Sequence, residues 1–242
     1  MPPTTPGDEL LDRYYAEHYA SVVHSGAGGA VQRAFHVALE RPWTARDRFE
    51  NVLELGATAG EHLAFVRHQY SRYTMLDIRD SAEARAVAAQ ADRENGAVDF
   101  VLGDAQTLDG IDDRSVDRLV SMCLLHHLED PRGALRQWRR VVKPGGVISV
   151  FVPCDPGVLW RAGRSVTTFR TARANGYSSL EIRYINACDH RNHVASIVAM
   201  IEGTFAEDDV RAHRYPFGWL HSWNANLFMT FQIIRGSTGE QR

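Results

Sequence analysis

The sequence predicts an α/β fold with a mostly parallel, seven-stranded sheet that ends in an antiparallel hairpin. From residue 50 onward, short apolar runs alternate with helical stretches, which is typical of βαβ units. The last two apolar runs have no helix between them, so we expect them to pair antiparallel. The predicted strands cover 51–55, 73–77, 98–102, 117–122, 147–152, 208–215 and 226–234.

The 242 residues are predicted to form a single domain in four parts. These parts are an N-terminal helical cap at 9–48, a sheet core at 50–152, an Arg- and aromatic-rich inserted cap at 155–190, and a last helix with the terminal hairpin at 191–234. Apolar spacing of helical period predicts helices over 30–40, 60–69, 81–94 and 131–141.

Composition favours a small-molecule partner. The formal net charge of -3 and the pI near 6.4 provide no basic field for nucleic acid or an anionic membrane. The three cysteines have no CxxC spacing, so neither a disulfide framework nor a zinc site is indicated. No signal peptide or spanning apolar run is evident, and we expect a cytoplasmic location.

The stretch VLELGATAG, residues 52–60, reads as a buried strand that enters a glycine turn. Such a turn points backbone N–H groups at a ligand on the carboxyl edge of a parallel sheet. Gly56 and Gly60 form G-x-x-x-G, which is not the dinucleotide pattern. Glu54 lies at the tip of an apolar strand, where a carboxylate is costly to bury without a partner. With Glu61 nearby, a cationic ligand is favoured over a pyrophosphate.

Thr58 stands at the centre of this turn. Thr58-x-x-Glu61 matches a capping box, in which the hydroxyl and the acid each accept from a free backbone donor. A β-branched residue disfavours positive φ. We therefore predict that Thr58 has negative φ and that its hydroxyl faces the next helix or the ligand.

Two further acids follow the next predicted strands. Asp77 ends the second strand, where a carboxylate can accept from both hydroxyls of a ribose. Asp104 follows the third strand and can accept from an adenine amine, or else cap its own loop. The carboxyl ends of parallel strands meet at one edge, so both acids are expected beside the glycine turn.

These residues, in this order, resemble the class I S-adenosylmethionine-dependent methyltransferase family, which has a Rossmann-like fold. The resemblance continues through VDRLVSMCLLHHLEDP and VVKPGGVISV and covers residues 50–152 well. The departure is Thr58, where the family usually has a glycine. The resemblance implies S-adenosylmethionine as the cofactor and S-adenosylhomocysteine as the product, with residues 50–152 as the cofactor-binding core.

The resemblance also implies a set of cofactor contacts. They are Glu54, Gly56, Ala57, Thr58, Gly60, Asp77, Ile78, Asp104, Ala105 and Met122, with Leu124 in the loop beside the sulfonium. Tyr15, in the aromatic N-terminal helix, either closes over the cofactor or packs on the sheet.

Catalysis by methyl transfer depends mainly on positioning, and it requires a base only when the acceptor carries a proton. His127 follows the fourth strand and is the candidate base, although similar histidines in the family are often structural. The predicted substrate residues are Trp160, Tyr177, Tyr184, His190, His193 and Trp219. His190 and His193 with Asp189 would be half a metal site, and no metal is predicted. The arginines of the insertion form either a solvated face or an anion contact.

The predicted function is methyl transfer to a small-molecule acceptor, with oxygen slightly favoured over nitrogen or carbon, in the biosynthesis of a metabolite. No Asn-Pro-Pro-Tyr type segment follows the fourth strand, which disfavours amino-nucleobase and glutamine-amide acceptors. Two alternatives stay open: an NAD-type oxidoreductase, and a non-catalytic binding or scaffold protein that retains the fold.

Overall fold

The computed structural model describes residues 5–14, 26–91 and 95–236. Its strands are β1 (Arg48–Leu55), β2 (Gln69–Asp77), β3 (Ala97–Leu102), β4 (Val116–Ser121), β5 (Val142–Pro153), β6 (Asp209–Tyr215) and β7 (Phe228–Ile234). They form one sheet in the order β3-β2-β1-β4-β5-β7-β6. Strands β1 to β5 run parallel, and β7 pairs antiparallel with both β5 and β6. The predicted fold class is confirmed.

Helices cover both faces of the sheet. They are α1 (Pro6–Arg13), α2 (Gly26–Glu40), α3 (Ala82–Gln90), α4 (Pro131–Val141), α5 (Val158–Val166), α6 (Thr168–Ala174), α7 (Ser179–Asp189) and α8 (Val194–Thr204). Helices α4 and α8 bury Trp138 and Ile201 on one face, and α2 and α3 bury Leu39 and Ala84 on the other. None of the helices in the described residues is long and apolar enough to cross a membrane.

The predicted helix over 60–69 is wrong. A short 3₁₀ helix, Glu61–Phe65, stands in its place, and the chain is already extended at Val66. The reason is tertiary, because α2 binds the side chains of this segment: His62 is buried against Glu40, and the Phe65 ring stacks on His36 at 4.8 Å. The other predicted helices lie at or near their expected positions, with α4 matching 131–141.

The predicted insertion contains the three helices α5, α6 and α7. Helices α6 and α7 form a small apolar cluster with α1 and the following Tyr14. In this cluster the rings of Tyr14 and Tyr177 meet edge to face, with their centroids 5.6 Å apart. Arg13 adds an exposed contact to Glu181 at 3.3 Å. Residues 5–14 and the insertion therefore pack together, and the predicted division of the chain into four parts stays a prediction.

A buried ion pair joins α2 to the centre of the sheet. Arg118 in β4 donates to both carboxylate oxygens of Glu40, at 2.5 and 3.1 Å, and both side chains are fully buried. Burial by itself would raise the pKa of Glu40, but the Arg118 guanidinium and a hydrogen bond from His62 hold that pKa well below its usual range. Glu40 is therefore an anion in the folded protein.

Breaking this pair should destabilise the fold. We expect Arg118→Met to lower the free energy of unfolding by about 3–5 kcal/mol, because it leaves the Glu40 carboxylate buried without its counter-ion. The double variant Glu40→Gln/Arg118→Met should lose less. Urea denaturation measures both effects. Arg72→Met, which removes the exposed arginine 4.0 Å from Asp99, is the control and should shift the value by no more than about 0.5 kcal/mol. Equal losses in Arg118→Met and in this control would contradict the prediction.

Candidate functional site

The glycine turn leaves β1 at the carboxyl edge of the sheet. Gly56 and Gly60 have φ of 71° and 80°, in the left-handed region that favours glycine. The N–H groups of Gly56 and Ala57 both donate to the Leu76 carbonyl at the end of β2, at 2.8 and 3.3 Å. A Cβ on Gly56 would lie 3.2 Å from the Leu124 side chain. The turn therefore follows the backbone of β2 closely and leaves little room above Gly56.

The prediction for Thr58 is wrong. Its φ is +51°, and the 3₁₀ helix that follows begins after Gly60 without a side-chain cap. The Thr58 hydroxyl lies 3.4 Å from the Gly56 carbonyl instead. The backbone explains this conformation, because the Thr58 N–H donates to Asp77 Oδ2 at 2.9 Å. Thr58 thus takes a left-handed backbone conformation that favours glycine, and it orients the acid of β2.

Asp77 and Asp104 lie at neighbouring strand ends, as expected. Asp77 accepts from the N–H groups of Thr58 and Arg79, each at 2.9 Å, which fixes both carboxylate oxygens. Each oxygen retains a second lone pair for a ligand hydroxyl. Asp104 accepts from the Gln106 N–H at 2.8 Å. It caps its own loop, so the two roles considered for this acid are compatible.

Glu54 is buried beneath the turn, at 2% exposure. Its carboxylate accepts from the Tyr73 hydroxyl at 2.8 Å. Burial raises the pKa of Glu54 above its usual value, although His62 and the Tyr73 hydrogen bond act in the opposite direction. A cation near this carboxylate would stabilise its ionised form. The protein thus supplies the Tyr73 hydroxyl as a hydrogen-bond donor to Glu54, a partner that the sequence could not identify.

The apolar residues expected around the cofactor differ in exposure. Ala57, Ala105 and Met122 are buried, whereas Ile78 is 66% exposed at the rim of the sheet edge. A flat apolar ring could rest on Ile78 without displacing packed atoms. Tyr15 lies outside the described residues.

A cavity of about 160 Å³ opens beside this edge, between α2, the loop after β4 and the inserted helices. Phe35 and Trp160 form apolar walls, while Cys123, His126 and His127 come from the loop that directly follows Met122. A cavity of about 150 Å³ is enough to hold a benzene-sized molecule. The residues expected around the cofactor and the cavity are therefore adjacent along the chain after β4.

Three histidines meet in this cavity. One ligand nitrogen from each of His126, His127 and His190 lies within 4.8 Å of the others. His127 Nδ1 is 2.9 Å from Asp189 Oδ1, and His190 Nδ1 is 2.7 Å from Asp155 Oδ2. Burial lowers the pKa of His126 far below its ordinary value. Burial also lowers the pKa of His190, against the opposing effect of Asp155.

This grouping was only partly predicted. The sequence singles out His127, His190 and Asp189, but it pairs His190 with His193, which is exposed at the start of α8. Asp155 was missed, although its position just after β5 places it on the same sheet edge as the other acids. His126 directly precedes His127, and no separate role is predicted for it from the sequence.

The other predicted substrate residues have different environments. Trp160 and His190 line the cavity. Tyr177 is buried in the cap cluster with Tyr14, whereas Tyr184 and Trp219 are 41% and 77% exposed. Apart from Trp160 and His190, the predicted substrate residues are not among those that line the cavity.

Comparison with known proteins identifies the family. A family model described as a methyltransferase domain matches residues 53–150, from β1 through most of β5. Trans-aconitate 2-methyltransferase of Deinococcus radiodurans is 34% identical over 117 residues, which are 48% of this chain and 40% of that protein. Hybrid PKS-NRPS synthetase apdA of Emericella nidulans is 26% identical over 160 residues, 63% of this chain but only 4% of that protein. The chain thus spans less than half the length of either relative.

Residues 53–150 belong to the class I S-adenosylmethionine-dependent methyltransferases. The fold agrees across the whole sheet: N-methyltransferase NodS of Bradyrhizobium japonicum WM9, solved with S-adenosyl-L-homocysteine, superposes with a TM-score of 0.56. That similarity covers 95% of this chain and 99% of NodS at 14% identity. The prediction of this family, with S-adenosylmethionine as its cofactor, is confirmed.

Asp77 gives a direct test of the predicted cofactor contacts. We expect Asp77→Ala to weaken S-adenosylhomocysteine binding by roughly 1–3 kcal/mol, because hydrogen bonds to a charged acceptor are lost. Isothermal titration calorimetry measures this change. Asp80→Ala, three residues along and paired with Arg85 on the surface, is the matched control. Unchanged binding in Asp77→Ala would remove this acid from the site.

Thr58 tests the strain in the turn. Left-handed backbone costs a non-glycine residue about 1–2 kcal/mol, whereas glycine loses about 0.5–1 kcal/mol more entropy on folding. We therefore expect Thr58→Gly to raise the free energy of unfolding by roughly 0.5–1 kcal/mol. Thr58→Ala removes the hydroxyl but keeps the strain, so it should show no gain. Urea denaturation compares the two, and a loss of stability in Thr58→Gly would be the contrary result.

Proposed function

We propose that the chain transfers the methyl group of S-adenosylmethionine to a small-molecule acceptor, with an oxygen nucleophile slightly favoured over nitrogen or carbon. The observation that carries this proposal is the position of the cavity. It begins at Cys123, one residue beyond Met122, so an acceptor in the cavity would lie next to the predicted cofactor residues.

The residues at the sheet edge suit this cofactor. The positive φ of Gly56 and Gly60 and the close packing over Gly56 form a turn in which a side chain would interfere. Asp77 has lone pairs left for ribose hydroxyls, and Glu54 is a buried carboxyl group whose ionised form a cationic ligand would stabilise. S-adenosylmethionine supplies an electrophilic methyl group on a positively charged sulfur. The protein's own task is to bind it, to exclude water and to orient the acceptor.

A histidine–carboxylate pair is available for an acceptor that carries a proton. His127 lies in the cavity, and its Nδ1 contacts both the side-chain and the main-chain oxygen of Asp189, at 2.9 and 2.8 Å. These contacts hold the proton on Nδ1, so Nε2 carries the lone pair. We propose that this Nε2 accepts the proton of the acceptor. The Cys123 thiol is no competitor, because burial raises its pKa to about 12.

A panel of candidate acceptor compounds would identify the class of molecule that is methylated. The cavity suggests molecules near the size of one ring, and the similarity to a trans-aconitate 2-methyltransferase adds carboxylic acids to the candidates. The protein would be incubated with S-adenosylmethionine and one candidate acceptor at a time: small phenols, alcohols, carboxylic acids, amines and compounds with an acidic C–H bond. Mass spectrometry would identify the methylated products. A methylated hydroxyl or carboxyl compound supports the proposal, and a methylated amine or carbon would replace oxygen with that nucleophile.

Cofactor titration separates the alternative functions. S-adenosylhomocysteine should bind at micromolar concentration and NADH should not. Binding of NADH alone would favour the oxidoreductase, and the absence of binding by either ligand would favour a scaffold with the same fold.

His127 gives the test of the base. With an acceptor from the panel, we expect His127→Asn to lower kcat by about 10²–10⁴-fold, the usual contribution of a general base. The affinity for S-adenosylhomocysteine should stay unchanged, because His127 is not among the predicted cofactor contacts. His213→Asn, an exposed position in β6, is the control. Turnover close to wild type in His127→Asn would make this histidine structural.

A further inference from the structure

The three histidines of the cavity come from two separate parts of the chain. His126 and His127 lie in the loop after β4, and His190 follows the last residue of α7. The ring centroid of His126 lies 3.9 Å from that of His127 and 4.5 Å from that of His190, and the centroids of His127 and His190 are 5.3 Å apart. Within the described residues, no other group of three His, Cys, Asp or Glu side chains has ligand atoms close enough to share a metal ion.

Two of these imidazoles have a carboxylate oxygen within ion-pair distance of Nδ1, and the Nδ1 of His127 also has an aligned hydrogen bond to the Asp189 carbonyl, whereas the Nδ1 of His190 has none. Asp189 contacts Nδ1 of His127, and Asp155 contacts Nδ1 of His190. Metal-binding histidines almost always have such a partner, which fixes the tautomer and raises the basicity of the other nitrogen. In the described contacts, His190 Nε2 faces Arg164 at 3.3 Å, and a shift of that guanidinium would expose the lone pair.

The third histidine provides an independent observation. His126 is 3% exposed, and its Nδ1 is buried without a hydrogen-bond partner among the described residues. A buried polar atom left without a hydrogen bond is destabilising, so such an atom requires an explanation. A ligand that can bond to several nitrogens at once would satisfy it.

We propose that His126, His127 and His190 bind one divalent metal ion of the zinc class. Imidazole nitrogens select zinc, cobalt, nickel and copper over magnesium and calcium. Zinc–nitrogen bonds of about 2.0–2.1 Å require the ligand atoms to approach to about 3.4 Å, so the side chains must close around the ion. The charges favour it, because Asp155 and Asp189 together outweigh the single positive charge of Arg164. A bound ion would have only three protein ligands, which would leave a position for water or an acceptor.

The ion would change how the acceptor loses its proton. The lone pair of His127 Nε2 can hold the metal or accept a proton, but not both at once. In the metal-bound state, an acceptor oxygen at the open position would become more acidic through its bond to the cation. This role rests on the proposed function, whereas metal binding itself does not.

The test uses untagged, chelator-treated protein without S-adenosylmethionine. Titration with Co²⁺ is followed by its visible absorption, and competition with Zn²⁺ gives the zinc affinity. We expect one ion per chain, and we expect His190→Ala to lose the absorption band. His193→Ala, an exposed histidine three residues along, is the matched control and should bind like wild type. Circular dichroism checks that each variant is folded.

Asp155→Asn and Asp189→Asn keep the three ligands, so they test the site even if His190→Ala does not fold. Each should weaken metal affinity about 10–100-fold, the usual effect of losing a carboxylate partner. No saturable Co²⁺ binding by wild type would overturn the proposal, and so would wild-type affinity in folded His190→Ala or in both aspartate variants. If the protein transfers methyl groups but binds no metal, the metal site is rejected and the proposed function stands.

Discussion

The buried pair between Arg118 and Glu40 is the interaction on which the site depends. It attaches the end of α2 to β4, the strand whose loop carries Met122, Cys123 and the two adjacent histidines. Glu40 also binds His62 in the segment after the glycine turn. One carboxylate therefore connects the helix over the cavity, the central strand and the segment that follows the glycine turn. Because all three groups are buried, none can move into water without leaving a charge or a donor unpaired.

Around this anchor, the parallel sheet brings distant residues to one edge. The ends of β1 and β2 carry Glu54 and Asp77, and the segments after β3 and β4 carry Asp104 and Met122. The backbone then refines the positions, since the turn after β1 donates to the carbonyl of Leu76 and to the carboxylate of Asp77. Thr58 has the conformation usually given to glycine because this hydrogen bond and the turn around it determine its φ. The strain is local, and the same N–H helps to orient a predicted ribose contact.

The cavity is formed by different elements from the sheet edge that carries the predicted cofactor residues. Its walls come from α2, from the loop after β4 and from the inserted helices, which are far apart in sequence. Two histidine–aspartate pairs lie together at its wall, His127 with Asp189 and His190 with Asp155, and each pair joins residues that are distant in sequence. This construction explains how a common fold can present an individual set of polar groups to its acceptor. The sheet positions the predicted cofactor residues, and the inserted helices line the cavity next to them.

The sequence by itself determined the sheet, its hairpin and the acids at the strand ends, because strand periodicity and parallel topology are local patterns with one geometric outcome. It also indicated the methyltransferase family, because the motifs of residues 50–152 occur in the order typical of that family. Only the tertiary structure decided that a short 3₁₀ helix forms after Gly60 and that Thr58 has a left-handed backbone. It also decided the hydrogen-bond partner of Glu54 and the cluster of His126, His127 and His190. Each of these depends on contacts between segments remote in sequence, where packing and hydrogen bonding outweigh local propensity.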